Sequence, residues 1–325
     1  MDSRGEHASR GNAHRKRGRT PIMELFARCP QNPIITSRHL PFKGASVYNP
    51  GATEHDGEVV LLLWVEDRKG FSNIHVARSR NGVDGWRIEP EPILADVLPD
   101  LGYESLGCGD ARVTYVQEDN CYVAYSQLGP SVGLAKSRDL AKADRLCLIF
   151  GPNNKDTCMF PSKLQDHWVV VHRPTVGELE HIWTASSPDL INWGSPHAVL
   201  HERGGPWWDG LKVGAGPPPI LTDQGWLLIY HGVKAFSGNL IYRAGLALLD
   251  REKPHKVLAR TPGWVFAPEA PYEVNGVIPN IVLPTGALLR GEELWMYYGA
   301  ADTSVCLATA RLPDLLAAFQ EEGWE

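Results

Sequence analysis

The chain has no apolar run long enough to cross a membrane as a helix. Its longest apolar stretch, Val59 to Val65, is strand-sized, whereas a spanning helix needs about 18 or more apolar residues. No apolar segment of signal-peptide type opens the sequence. Cysteine is sparse, six in 325 residues, with no C-x-x-C pair and no metal-like spacing. Reduced thiols in a cytoplasmic protein are therefore expected, and no metal. The histidines, His172 and His201 among them, are too scattered for a ligand set. Neither a Walker-type loop nor G-x-G-x-x-G occurs, which argues against a nucleotide. Hydrophobic residues make up 43% and charged residues 22%, which excludes wholesale disorder and a coiled coil.

Turn formers and aromatics are abundant instead, with 32 Gly, 25 Pro, 11 Trp and 10 Tyr. That composition describes many short segments joined by many turns. Trp and Tyr serve equally as core or as sugar-binding surface. The formal charge is −6, unevenly spread. Arg4, Arg10, Arg15, Lys16, Arg17 and Arg19 outweigh Asp2 and Glu6. Residues 1–22 thus read as a disordered basic tail, with Met23 an alternative start. Residues 23–325 read as a single acidic domain, which argues against nucleic-acid binding.

An internal repeat sets the architecture. A central apolar strand recurs as Val59–Glu66, Cys121–Ser126, Trp168–His172, Trp226–His231 and Leu294–Tyr298. A second strand of small residues follows each: His75–Ser79, Gly133–Ser137, Ile182–Ser186, Ala244–Leu249 and Cys306–Ala310. Turns such as Glu54–Gly57, Gln117–Asn120 and Thr222–Gly225 precede the central strands as hairpin signals. Glu91–Leu94 and Ala198–Leu200 supply outer strands. Five such units predict an all-β, five-bladed β-propeller with one short C-terminal helix in Leu312–Gln320. Asn49, Asp110, the segment around Met159, Gly214–Pro218 and Pro284–Gly286 would then ring the central channel.

Asp110 lies in Gly107-Cys-Gly-Asp-Ala-Arg112, a glycine-rich start to an inner strand. A partly buried carboxyl there can serve as a proton donor, and Arg112 can pair with it. Arg173, Lys212, His231 and Lys155 fall at the ends of different blades. Brought to one mouth, they would make an anion site suited to inorganic phosphate. Asp302 closes the fifth central strand and can bind sugar hydroxyls.

Several motifs occur in sequence: Tyr48–Thr53, Gly109–Arg112, Asn154–Asp156 with Phe160-Pro161, His172–Pro174, Lys212–Pro219, Gly225–Gly232, Tyr242-Arg243 with Leu248–Asp250, and Tyr298–Thr303. In these the chain resembles glycoside hydrolase family 130, the β-mannoside phosphorylases and related β-mannosidases, from about Gln31 to Phe319. The resemblance implies a propeller and an inverting attack of phosphate on a β-mannoside, releasing α-mannose 1-phosphate. It implies that Asp110 is the general acid, acting through the mannose 3-hydroxyl. Arg173, Lys212 and His231 match phosphate-binding positions, with Lys155 and Tyr242 beside them. Asn49, Trp64, Arg112, Asp156 and Asp302 fall near the substrate. No cofactor beyond phosphate as co-substrate is implied; the partners are a β-mannoside and phosphate, and homo-oligomers occur in the family. A phosphorylase needs cations rather than a second carboxylate; were the chain a hydrolase, Asp156 or Asp209 would be the base. It departs from the family pattern at Gly109, where glutamate is usual, and at Trp64, where arginine is common. That double change resembles a coupled loss of a salt bridge or of sugar contacts. It leaves a hydrolase, or a catalytically silent glycan-binding propeller, as alternatives.

Overall fold

The computed structural model describes residues 24–94, 104, 106–116, 120–127, 131–175, 177 and 180–319. The basic tail and most of the Gln117–Asn120 turn lie outside the described residues.

Two short strands come first, β1 (Ala27–Arg28) and β2 (Ile35–Thr36). Blade one is β3 (Ser46–His55), β4 (Glu58–Glu66), β5 (Ser72–Ser79) and β6 (Arg87–Pro92). Blade two is β7 (Cys108–Val116), β8 (Asn120–Gln127), β9 (Ser131–Ser137) and β10 (Asp144–Phe150). Blade three is β11 (Asn154–Met159), β12 (Trp168–Pro174), β13 (Ile182–Ser187) and β14 (Gly194–Leu200). Blade four has a broken inner edge, β15 (Lys212–Ala215) and β16 (Ile220–Thr222), then β17 (Gly225–Phe236), β18 (Asn239–Leu249) and β19 (Val257–Arg260). Blade five is β20 (Val282–Arg290), β21 (Glu293–Ala300) and β22 (Ser304–Arg311). Its outer side is completed from the other end of the chain, since β1 and β2 both pair with β22. The five-bladed propeller read from the sequence is the observed fold. A one-turn helix, α1 (Pro271–Val274), joins the expected α2 (Leu312–Ala317).

The central strands read as unbroken apolar runs because both of their faces are buried. Successive residues of a strand point to opposite sides. In β4, Val60 and Leu62 pack with Val113 and Val123 of blade two. Val59, Leu61 and Leu63 pack instead with Tyr297 and Leu307 of blade five. In β17, Leu227 and Ile229 face blade five, while Trp226 and Leu228 face blade three. A fifth cluster, around Met159, Val170 and Leu134, fills the seam between blades two and three. Five cores at five seams hold the ring, and each fully buried Leu, Ile or Val contributes roughly 1.5–3 kcal/mol. The ring is locked where Glu273, wholly buried, accepts hydrogen bonds from Arg28 Nε at 2.9 Å and Tyr298 Oη at 2.7 Å.

The first strands of the blades surround the axis and touch one another. Each is interrupted near its start. Bulges fall between Tyr48 and Gly51, Gly109 and Arg112, Lys155 and Cys158, and Pro284 and Gly286. In blade four the break is the gap between β15 and β16. At the first three bulges Asn49, Asp110 and Asp156 adopt φ of 44°, 54° and 51°. Asn and Asp tolerate this left-handed region better than other residues with a Cβ. A bulge re-aims a side chain, and here it presents three polar groups at equivalent places around one mouth. In blade three that residue is Asp156. Met159, expected near the channel, is instead packed in the seam between blades two and three.

Candidate active site

All five blades contribute to the mouth. Blade two supplies Asp110, which is 7% exposed. Arg112 Nη1 donates to Asp110 Oδ1 at 2.7 Å, and Arg112 Nε donates to the Gly216 carbonyl at 2.8 Å. Arg112 is fully buried, so it steadies Asp110 from within the protein. Asp110 Oδ2 makes no hydrogen bond among the described residues, which leaves that oxygen for a ligand. Arg112 Nη2 is also buried and has no hydrogen-bond partner among the described residues.

Blades three and four build a cationic cluster around Asp156. Arg173 Nε lies 2.8 Å from Asp156 Oδ2, an ion-pair distance without hydrogen-bond alignment. His231 Nε2 lies 3.5 Å from the same oxygen. Gly214 sits opposite His231 in the β15–β17 pairing, and the close approach depends on it. A Cβ there would come within 2.2 Å of Asp156 Oδ2 and 2.3 Å of His231 Cε1. Burial opposes ionisation of Asp156, but the Arg173, Lys155 and Arg112 charges outweigh it and hold the carboxyl well below the usual range. Lys212 Nζ lies 5.6 Å from the centre of the Tyr242 ring, and the His231 and Tyr242 rings are 5.9 Å apart. Burial, with Arg173 close by, lowers the Lys212 pKa. Lys155 pairs across the strands with Arg173 and is half-buried. Arg173, Lys212, His231, Lys155 and Tyr242 are thus brought together as the sequence suggested.

His231 differs from that reading in its charge. Burial pushes its pKa down to about 3, with Asp156 only partly compensating. It therefore offers a neutral N–H donor at neutral pH rather than a cation. The sequence shows a histidine beside basic residues and says nothing of its burial.

Blades one and five line the other side. Asn49 is buried, and its Oδ1 has no hydrogen-bond partner among the described residues. Asp302 sits on the β21–β22 turn with φ 49°. Its pKa is raised to about 6, chiefly by burial and then by the Asp110 charge, with Lys155 acting in the opposite sense. The Trp64 and Tyr48 rings lie 4.7 Å apart in a tilted pair. Tyr48 Oη donates to Glu66 Oε2 at 3.4 Å. The Trp64 indole covers Gly109, where a Cβ would come within 2.4 Å of indole carbon Cδ2. Trp64 and Gly109, the two positions where the sequence reading noted a departure, are in direct contact. The indole occupies the space a side chain at 109 would need.

Asp209 does not join the site. Its Oδ2 accepts from Arg203 Nη2 at 2.8 Å, Arg260 Nη2 at 2.7 Å and Tyr230 Oη at 3.0 Å. Tyr230 precedes His231 in β17, so this network lies on the opposite face of the strand. Asp209 is a fully buried structural anchor and is set aside as a base. Glu180, which the sequence reading missed, does reach the site. It accepts a hydrogen bond from Arg173 Nη1, and its Oε2 lies 3.9 Å from Lys212 Nζ. A surface recess of about 320 Å³ near His197 and His255 holds none of these residues. Among the described residues no cluster fits a metal ion.

Comparison with known proteins identifies the family. A family model described as β-1,4-mannooligosaccharide phosphorylase, that of glycoside hydrolase family 130, matches residues 13–321. The chain is 32% identical to the β-1,2-mannobiose phosphorylase of Listeria innocua, over 90% of this chain and 98% of that protein. The solved structure of the Listeria innocua β-1,2-mannobiose phosphorylase with β-1,2-mannobiose superposes with a TM-score of 0.82 at 29% identity. It covers 91% of this chain and 99% of that one. Another structure comes from work stating that family 130 of mannoside phosphorylases contains glycoside hydrolases targeting β-1,2 mannosidic linkages in Candida mannan. It aligns with a TM-score of 0.78 at 25% identity, over 88% of this chain and 94% of that one.

Proposed function

Because the chain belongs to glycoside hydrolase family 130, we propose that it cleaves β-linked mannosides with inorganic phosphate, inverting the anomeric carbon and releasing α-mannose 1-phosphate. The observation that carries this reading is the cluster of Arg173, Lys212 and His231, converging from blades three and four around Asp156, with Arg112 between it and Asp110. Arg gives a planar fork, Lys a point charge and neutral His231 a hydrogen bond, which together suit phosphate.

In the proposed step a phosphate oxygen attacks the mannose anomeric carbon from the face opposite the leaving group. The C–O bond to the leaving sugar breaks as the C–O–P bond forms. Asp110, protonated in the reacting complex, gives its Oδ2 proton to the mannose 3-hydroxyl, which passes its own to the departing oxygen, and the proton shed by the phosphate as its oxygen bonds to carbon restores the acid. Such acid catalysis is worth roughly 10²–10⁴-fold. Arg112 is a positioning residue that fixes Asp110. Asn49 and Asp302 bind mannose hydroxyls, and Trp64 offers a ring face to the sugar. Lys155 and Tyr242 bound the phosphate, and Asp156 orients Arg173. The step calls for no metal or organic cofactor. The six cysteines are free thiols, and a reducing compartment such as the cytoplasm is part of the proposal.

The test is a panel of β-1,2- and β-1,4-linked mannobioses and oligosaccharides, incubated with and without phosphate. Mannose 1-phosphate that needs phosphate and disappears with Asp110→Asn is the expected result. Free mannose formed without phosphate would instead support the hydrolase. No product from any mannoside would support a silent propeller.

A further inference from the structure

The phosphate cluster contains a carboxylate that the proposed chemistry does not use. Glu180 lies at the mouth with its side chain 17% exposed, over an Arg173 that is 2% exposed. Its carboxylate accepts from Arg173 Nη1 and faces Lys212 Nζ at 3.9 Å. Its own backbone is pinned, because the Glu180 carbonyl accepts the Val213 N–H at 3.1 Å. The side chain can leave while the backbone stays.

Two facts show what the carboxylate does there. The first is charge. Arg173, Lys212 and Lys155 bring three positive charges, His231 is neutral, and Asp156 and Glu180 bring two negative charges. Glu180 cancels half of the net positive charge that the cluster would otherwise offer a multiply charged anion. The second is the shape of the guanidinium. Phosphate prefers to bind Arg through two neighbouring nitrogens. The usable edges are Nε with Nη2, and Nη1 with Nη2. Asp156 faces Nε, and Glu180 occupies Nη1. The Nη1–Nη2 edge is free only when Glu180 withdraws, while Asp156 Oδ2 crowds Nε at 2.8 Å without accepting its N–H. Asp156 is 4% exposed and held also by His231, whereas Glu180 sits at the solvent side.

We propose that Glu180 is a stand-in anion, a positioning residue that holds Arg173 and Lys212 in the empty site and must swing away for phosphate to bind. The inference rests on the phosphorylase reading of the site and adds to it a competition between a carboxylate of the chain and the incoming phosphate. The arrangement keeps two buried cations paired in the absence of substrate, and unpaired buried charge is costly.

The experiment is titration of inorganic phosphate into the full-length protein by calorimetry, without mannoside, for wild type, Glu180→Gln and Glu180→Ala. Steady-state KM for phosphate and for mannoside would be measured alongside. Removing a like charge from beside a bound anion should tighten binding by about tenfold or more. The expected result is a lower phosphate Kd and KM in both variants with the mannoside KM unchanged. A Kd that stays the same or rises in both would mean that Glu180 only orients the cations, and would overturn the proposal. So would loss, in Glu180→Gln, of a phosphate-independent release of mannose, since that would make Glu180 a hydrolytic base. If wild type binds no phosphate at all, the phosphorylase reading fails and this inference falls with it. If wild type binds phosphate and the variants bind no tighter, only this inference fails.

Discussion

Replacing Asp302 with Asn should stabilise the protein at neutral pH while impairing its reaction. Burial and the Asp110 charge raise the Asp302 pKa from 3.8 to about 6. The folded state therefore holds a proton on this carboxyl, between those pH values, that the unfolded state has already lost. Stability must fall as pH climbs through that window, and the full cost is present above about pH 6. Two pKa units correspond to roughly 3 kcal/mol, and partial exposure at the mouth reduces this to about 2 kcal/mol. Asn fills the same space without a charge to bury. Chemical denaturation at pH 7.5 should show Asp302→Asn more stable than wild type by that amount, about 3 °C in Tm. The advantage should shrink through pH 4 and vanish near pH 3, below both pKa values, where the wild-type carboxyl is largely protonated in both states. Because Asp110 contributes to the shift, Asp110→Asn should remove part of the gain, and the two substitutions should be non-additive. Equal stability of the variant and wild type at pH 7.5, or a gap that persists unchanged at pH 4, would refute the reasoning.

Two further substitutions probe the rest of the mouth. Gly109→Glu alone should destabilise the protein by about 1–3 kcal/mol through overpacking against the Trp64 indole. Trp64→Arg in the same chain should recover most of that loss in a thermal double-mutant cycle, and additive effects would show that the two positions are independent. Asp209→Asn should cost about 3–5 kcal/mol in denaturant unfolding, because Arg203 and Arg260 lose a buried partner. The folded variant should keep its KM for phosphate, and a large rise in that KM would return Asp209 to the site.

The blades were legible because central strands buried on both faces, such as Val59–Val65, leave long apolar runs between turn residues. The closure of blade five by β1 and β2 was not. Two-residue strands carry no periodicity, and their partner β22 lies some 270 residues away. Asp110 and the cationic residues were legible as motifs. The bulges that aim Asn49, Asp110 and Asp156 were not, since a positive φ at Asn or Asp leaves no mark in composition. Glu180 carries no motif, and only the folded chain brings it to Arg173. The anchoring of Asp209 was not legible either, because its partners Arg203, Tyr230 and Arg260 are connected by no local pattern. Gly109 and Trp64 stood out as lost charges, whereas their contact is one of volume.

The most direct measurement follows the first turnovers of β-1,2-mannobiose with phosphate by ¹H and ³¹P NMR, before the anomers equilibrate. The account predicts α-mannose 1-phosphate as the initial product, formed only when phosphate is present. The β anomer as initial product, or free mannose formed at the same rate without phosphate, would contradict it.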